Sequence, residues 1–190
     1  MASAFRRTIA GSLLACSAIM ITRNPGHLRT FDYRGLYRYF LTFCTNERQR
    51  IFEDHTAVDI ATEQILRAAE HEQFADLAHC FMPDHLHLLV EGLSDAADCL
   101  RFIKRAKQCS GFHYSKAFGG KLWQRYGFER VLRNDEQSLA VAKYILENPV
   151  RAGLVTRPED YPFLGSQTYP VSEILEAIGD WEAKPRTRSA

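Results

Sequence analysis

The sequence predicts an α+β fold: an antiparallel sheet with helices on one face, followed by a C-terminal helix that bears a tyrosine. Three observations carry this expectation. Strand-patterned and helix-patterned segments succeed one another in the order β-α-β-β-α-β, and a further helix follows. The second and third strand segments are separated only by Pro83-Asp84, close enough to pair as an antiparallel hairpin. With 46% apolar and 12% aromatic residues over 190 positions, the chain can bury a sizeable core and is not a disordered one. Such an order is that of a ferredoxin-like or RRM-like split sheet.

The first strand is "YRYFLTFCT" (37–45), aromatic and β-branched with partial alternation. "DHTAVDIATEQILRAAEHEQ" (54–73) reads as a helix, capped by Asp54, with Val58, Ala61, Ile65 and Ala69 at helical spacing. "FADLAHCFM" (74–82) and "HLHLLVEG" (85–92) form the hairpin. A helix follows over 95–118, with Ser110-Gly111 as a candidate break, and "GKLWQRYGFERVLR" (120–133) reads as a strand or extended arm. "NDEQSLAVAKYILEN" (134–148) is a helix that Pro149 should stop. Beyond residue 156, Pro, Gly and Ser predict irregular structure with one helix near "SEILEAIG".

Net charge is +1, which says little about partners, but its distribution is uneven. Nine basic residues stand between 101 and 133 against Glu129 alone, and eleven acidic residues between 53 and 98 against Arg67 alone. That segregation suggests a face for anions, although each segment also suits a solvated helix surface. Five scattered cysteines without a C-x-x-C pair argue against a zinc ribbon or disulfide framework and fit a reducing cytoplasm. The opening "MASAFRRTIAGSLLACSAIMI" has the look of a signal peptide and is too short and interrupted for a membrane span. We expect residues 1–25 to be an extension or a misplaced start, with Met20 an alternative beginning. Residues 26–165 should form the main domain and 166–190 a C-terminal tail.

Two clusters carry chemistry. In "FMPDHLHLLVEG", His85 and His87 share one strand face and their Cβ atoms lie roughly 7 Å apart. Both rings can converge on one divalent metal, with further ligands and open positions needed for catalysis. One core and one surface histidine would satisfy the same spacing. In "KYILENPVRAG", Tyr144 and Asn148 lie four apart, on one helix face. The amide offers a hard oxygen suited to Mg²⁺ or Mn²⁺, and the phenol a nucleophile if a cation supports it. Alone, this segment equally reads as a packing tyrosine and a helix stop.

"MPDHLHLLVEG", "LWQRYGFERVLR" and "YILENPVRAGLV", in this order and spacing, resemble the single-tyrosine HUH transposases. More specifically, they resemble the REP-associated tyrosine transposase-like branch, over about Gly26 to Phe163. The resemblance implies metal ligation by His85, His87 and Asn148, and a nucleophilic Tyr144. Asp84 receives no role. It further implies Mg²⁺- or Mn²⁺-dependent cleavage and rejoining of single-stranded, hairpin-forming DNA through a 5′-phosphotyrosine link, by a homodimer or a monomer without membrane association. Arg101, Lys104, Arg105, Lys107, Lys121, Arg125 and Arg130 would then track the DNA backbone, and Trp123, Tyr126 and Phe128 could stack on bases or belong to the core. Tyr114 is a weaker nucleophile candidate, lacking a neighbouring metal ligand. Two rivals keep the fold: a non-catalytic nucleic-acid-binding module, and a metal-dependent phosphodiesterase that activates water.

Overall fold

The computed structural model describes residues 31–132 and 135–183. Strand β1 (Arg38–Cys44) is followed by two short helical turns and helix α1 (His55–His71). The hairpin β2 (Phe74–Met82) and β3 (His85–Gly92) leads to α2 (Cys99–Phe118), then β4 (Phe128–Leu132) and α3 (Asp135–Arg151). A two-residue strand β5 (Leu164–Gly165) and helix α4 (Val171–Ala183) complete the described chain. The sheet order is β4-β1-β3-β2-β5 with every pairing antiparallel.

Both central strands are buried on two sides, so alternation distributes their side chains between two cores. Tyr39, Leu41 and Phe43 of β1 and Leu86, Leu88 and Val90 of β3 meet α1 and α2, through Ala61, Ile65, Phe102 and Ala106. Phe40 and Leu89 point the other way, against Leu139, Ala142, Ile145 and Leu146 of α3 and Ile174 of α4. The two crossover helices therefore cover one face, and the helix bearing Tyr144 covers the other. Their starts are fixed by side-chain caps: Asp54 accepts from the Ala57 amide at 2.9 Å, and Asp98 from the Arg101 amide at 3.1 Å.

Helix α2 takes the long, unbroken form of the two left open, running through Ser110-Gly111, and two other local expectations are corrected. The Ser110 hydroxyl donates back to the Ala106 carbonyl at 2.5 Å and accepts from the Trp123 indole at 2.8 Å, so it is bonded inside the core. Helix α3 continues past Pro149 to Arg151. Pro149 lacks the amide that would reach the Ile145 carbonyl, yet the helix still closes beyond it, with the Ala152 amide on the Asn148 carbonyl; separately, the Arg151 guanidinium donates to the Tyr144 main-chain oxygen. The supposedly irregular tail contributes β5 to the sheet edge, where the Phe81 amide donates to the Phe163 carbonyl at 2.9 Å and the Tyr161 hydroxyl to the Phe81 carbonyl at 2.7 Å. The expected helix near "SEILEAIG" is α4. The N-terminal extension 1–25 and the choice between Met1 and Met20 lie outside the described residues. Among the described residues no helix is long and apolar enough to cross a membrane.

Candidate active site

On β3, Leu86 and Leu88 enter the α1/α2 core, so His85 and His87 must emerge on the α3 side. Their Nε2 atoms stand 3.1 Å apart. Each Nδ1 is held from behind: His85 by Asp84 Oδ1 at 2.6 Å, and His87 by the Thr42 hydroxyl at 2.9 Å. Thr42 is the direct cross-strand partner of His87, which is why its hydroxyl reaches the ring. Asp84 is itself paired through Oδ2 with Arg48 at 3.1 Å. Both Nε2 atoms are thereby turned to the same point: the Asp84 carboxylate keeps the His85 proton on Nδ1, and the Thr42 hydroxyl holds the His87 ring in place.

Burial lowers the pKa of both rings. His87, only 1% exposed, titrates well below the usual histidine value, first through burial and then through the charges of His85, Arg151 and Arg48. Burial also lowers His85, partly opposed by its bond to Asp84. Both are neutral at pH 7, the form that ligates a metal.

Helix α3 brings Tyr144 over this pair. Its ring lies 5.3 Å from the His87 ring and 5.8 Å from Phe40, which in turn lies 5.3 Å from His87. The Arg151 guanidinium sits 4.3 Å from the Tyr144 ring centroid, on the same helix two turns later. Asn148, one turn from Tyr144, is half-buried, and its Nδ2 atom is buried without a hydrogen-bond partner.

This donor set suits a divalent cation. Two nitrogens bound to one ion at about 2.1 Å and at right angles lie about 3.0 Å apart, close to the observed spacing. Among the described residues no group of three or more His, Cys, Asp or Glu completes a site, so a third protein ligand has to be of another type. The unpaired Asn148 amide is such a group, since rotation of the amide presents its oxygen in place of Nδ2.

The basic residues divide. Arg130 pairs with Phe40 across β1 and β4 and so shares the face of the histidines. Arg101, Lys104 and Arg105 belong to α2, on the far side of the sheet, where Arg105 binds the buried Glu72 carboxylate at 2.6 Å and Arg101 approaches it at 3.5 Å. Lys107 donates to the main-chain oxygens of Gln124 at 2.7 Å and Arg125 at 3.3 Å, and burial pushes its pKa down to about 8. Lys121 and Arg125 are exposed. Trp123 is a core residue, Phe128 is half-buried against Phe40, and Tyr126 is 64% exposed. Tyr114 packs against the α1/α2 core and stacks on Phe118, on the opposite face from the histidines.

Thr42, Arg48, Phe40 and Arg151 were not singled out from sequence. Arg151 lay inside the motif "YILENPVRAG", where its distance of seven residues from Tyr144 is a readable signal. Thr42 required the strand register.

A split antiparallel sheet that turns a histidine pair toward a helix-borne tyrosine is the architecture of a tyrosine transposase, an enzyme that cuts and rejoins DNA. The model of the IS200-like transposase family matches residues 34–148, more than half of the chain, and the chain belongs to that family. It is 27% identical over 139 residues to the REP-associated tyrosine transposase of Escherichia coli, covering 71% of this chain and 79% of that protein. A Haemophilus influenzae protein provisionally assigned to the same type is 28% identical over 169 residues, covering 83% of this chain and 93% of the relative. The fold matches a solved REP-associated tyrosine transposase bound to a REP hairpin, with a TM-score of 0.61, 22% identity, and coverage of 74% of this chain and 82% of that one. The chain is a transposase of the REP-associated tyrosine type.

Proposed function

We propose that this transposase is a metal-dependent single-stranded DNA endonuclease and strand transferase that works through a 5′-phosphotyrosine intermediate, with Tyr144 as nucleophile. The observation that carries the reading is the approach of the two Nε2 atoms to 3.1 Å beneath the Tyr144 ring. His85, His87 and Asn148 would hold Mg²⁺ or Mn²⁺, which when bound withdraws electron density from a phosphoryl oxygen.

The chain's own residues do the rest. Tyr144 Oη attacks the phosphorus as its proton passes to solvent; the bond to the 3′-oxygen breaks, and that oxygen takes up a proton to leave a free 3′-hydroxyl. Attack by a 3′-hydroxyl on the phosphotyrosine reverses the step, joins two strands and returns the phenol. Because the phosphodiester energy is kept in the tyrosyl ester, joining needs no external energy source. Arg151 sets the Tyr144 ring, and Arg48, Arg130 and Arg151 give the site a positive rim for the strand. The solved relative bound to a REP hairpin supports a hairpin-forming single strand as the partner.

The test is incubation with labelled single-stranded hairpin DNA and Mn²⁺, resolved on denaturing gels. A protein–DNA adduct that needs the metal and disappears in Tyr144→Phe is expected. Cleavage without an adduct, persisting in Tyr144→Phe, would assign the chemistry to water.

A further inference from the structure

The segment between α2 and β4 is fastened at Leu122, Trp123, Gln124 and Arg125. The Asn46 amide donates to the Leu122 carbonyl at 2.7 Å, Trp123 bridges to Thr45, and the Gln124 amide donates to the Cys44 carbonyl at 2.9 Å. The Trp123 indole is tied to Ser110, and the Lys107 ammonium clamps the carbonyls of Gln124 and Arg125. Gly127 lies so close to β1 that a Cβ there would stand 2.9 Å from the Thr42 carbonyl oxygen. A side chain at that position would push the arm off the sheet.

From the middle of this fixed arm Tyr126 projects, 64% exposed, with the Arg125 guanidinium 5.4 Å from its ring centroid. A large aromatic surface left in water on a rigid support contributes nothing to the core, and its partner is a cation. The location is also specific. Thr42, whose carbonyl abuts Gly127, is the residue whose hydroxyl holds His87. No acidic residue occurs from Cys99 to Phe128, although Glu129 follows, so the chain leading into Tyr126 carries only basic charge, which favours a polyanion.

We propose that Arg125 and Tyr126 form a stacking platform for an unpaired nucleobase of the DNA strand that enters the histidine–tyrosine site. Tyr126 supplies the π face, and Arg125 supplies a charge for the adjoining phosphate. The platform rests on the reading of this chain as a single-strand nuclease, but it binds bases whether or not cleavage follows.

The test is fluorescence anisotropy with a labelled single-stranded DNA of mixed sequence, and with the same strand made abasic, in the presence of EDTA. Tyr126→Ala should weaken binding of the intact strand by roughly 5- to 150-fold, the usual range for one lost stacking contact. It should leave the abasic strand and the salt slope unchanged, and Tyr126→Phe should restore wild-type affinity. Arg125→Ala should reduce the salt slope by about one. Equal affinity of Tyr126→Ala and wild type for the intact strand would overturn the platform, as would an equal loss on both strands. Covalent-adduct formation is scored separately. Base-dependent binding without an adduct keeps the platform and sinks the nuclease reading, whereas an adduct with binding indifferent to Tyr126 does the reverse.

Discussion

The guanidinium of Arg151 lies 4.3 Å from the ring centroid of Tyr144 and also donates to that residue's main-chain oxygen. One side chain thus fastens both the ring and the backbone of the proposed nucleophile. Arg151→Ala should slow single-turnover cleavage by about 5- to 30-fold, matching roughly 1–2 kcal/mol of positioning from a cation–π contact of this kind. Mn²⁺ affinity should not fall, because removing the Arg151 charge only relieves repulsion at the His87 ring. Arg151→Lys should recover part of the rate, because it restores the charge but not the planar stack.

Thr42 bears on metal affinity rather than on the nucleophile. Its hydroxyl is the partner of His87 Nδ1 at 2.9 Å, and Thr42→Val keeps the shape while removing that bond. Loss of such an outer contact typically weakens metal binding by about 10- to 100-fold. Calorimetric titration with Mn²⁺ should show this in Thr42→Val, and Asp84→Asn should act in the same direction through His85.

The lowered histidine pKa values give stability a pH dependence of known sign. The unfolded chain takes up protons near pH 6.5, and the folded chain only below that. The unfolded state therefore binds more protons as the pH falls below about 6.5, and stability drops, by at most ~1.4 kcal/mol per histidine per pH unit. Urea midpoints of the metal-free protein at pH 7.5 and pH 5.5 should differ more in wild type than in the His85→Gln/His87→Gln variant. An identical difference would show that other groups govern the acid limb.

Phe40 is 1% exposed and touches His87, Tyr144 and Phe128, so it supports the site from below. Phe40→Ala should cost about 3–5 kcal/mol of stability, as buried aromatic truncations do. Denaturant unfolding would measure it.

Much of this fold was legible because its elements follow strict periods. The alternation in "YRYFLTFCT" and "HLHLLVEG" and the helical spacing from Val58 to Ala69 each admit one element type. The tight Pro83-Asp84 link makes the hairpin unavoidable. The same alternation placed His85 and His87 together, and the interval of four placed Asn148 a turn from Tyr144. What escaped depended on contacts distant in sequence. Thr42 meets His87 only through the register of β1 on β3. Strand β5 is held by bonds to Phe81, which no local pattern announces. The basic run beginning at Arg101 reads as one patch, yet the buried Glu72 and the arm's carbonyls take up Arg105 and Lys107 on the far side of the sheet. Pro149 reads as a stop, yet so near the helix end it costs only the amide partner of the Ile145 carbonyl, and the helix runs on to Arg151.

The central claim is that Tyr144 becomes covalently joined to DNA. The most direct measurement is mass spectrometry of the proteolysed protein after reaction with a hairpin-forming single strand and Mn²⁺. A nucleotide 5′-phosphate on the Tyr144 peptide, absent when EDTA replaces the metal, is the predicted result. A modification on Tyr114 instead, or complete cleavage with Tyr144 unmodified at every time point, would contradict the account.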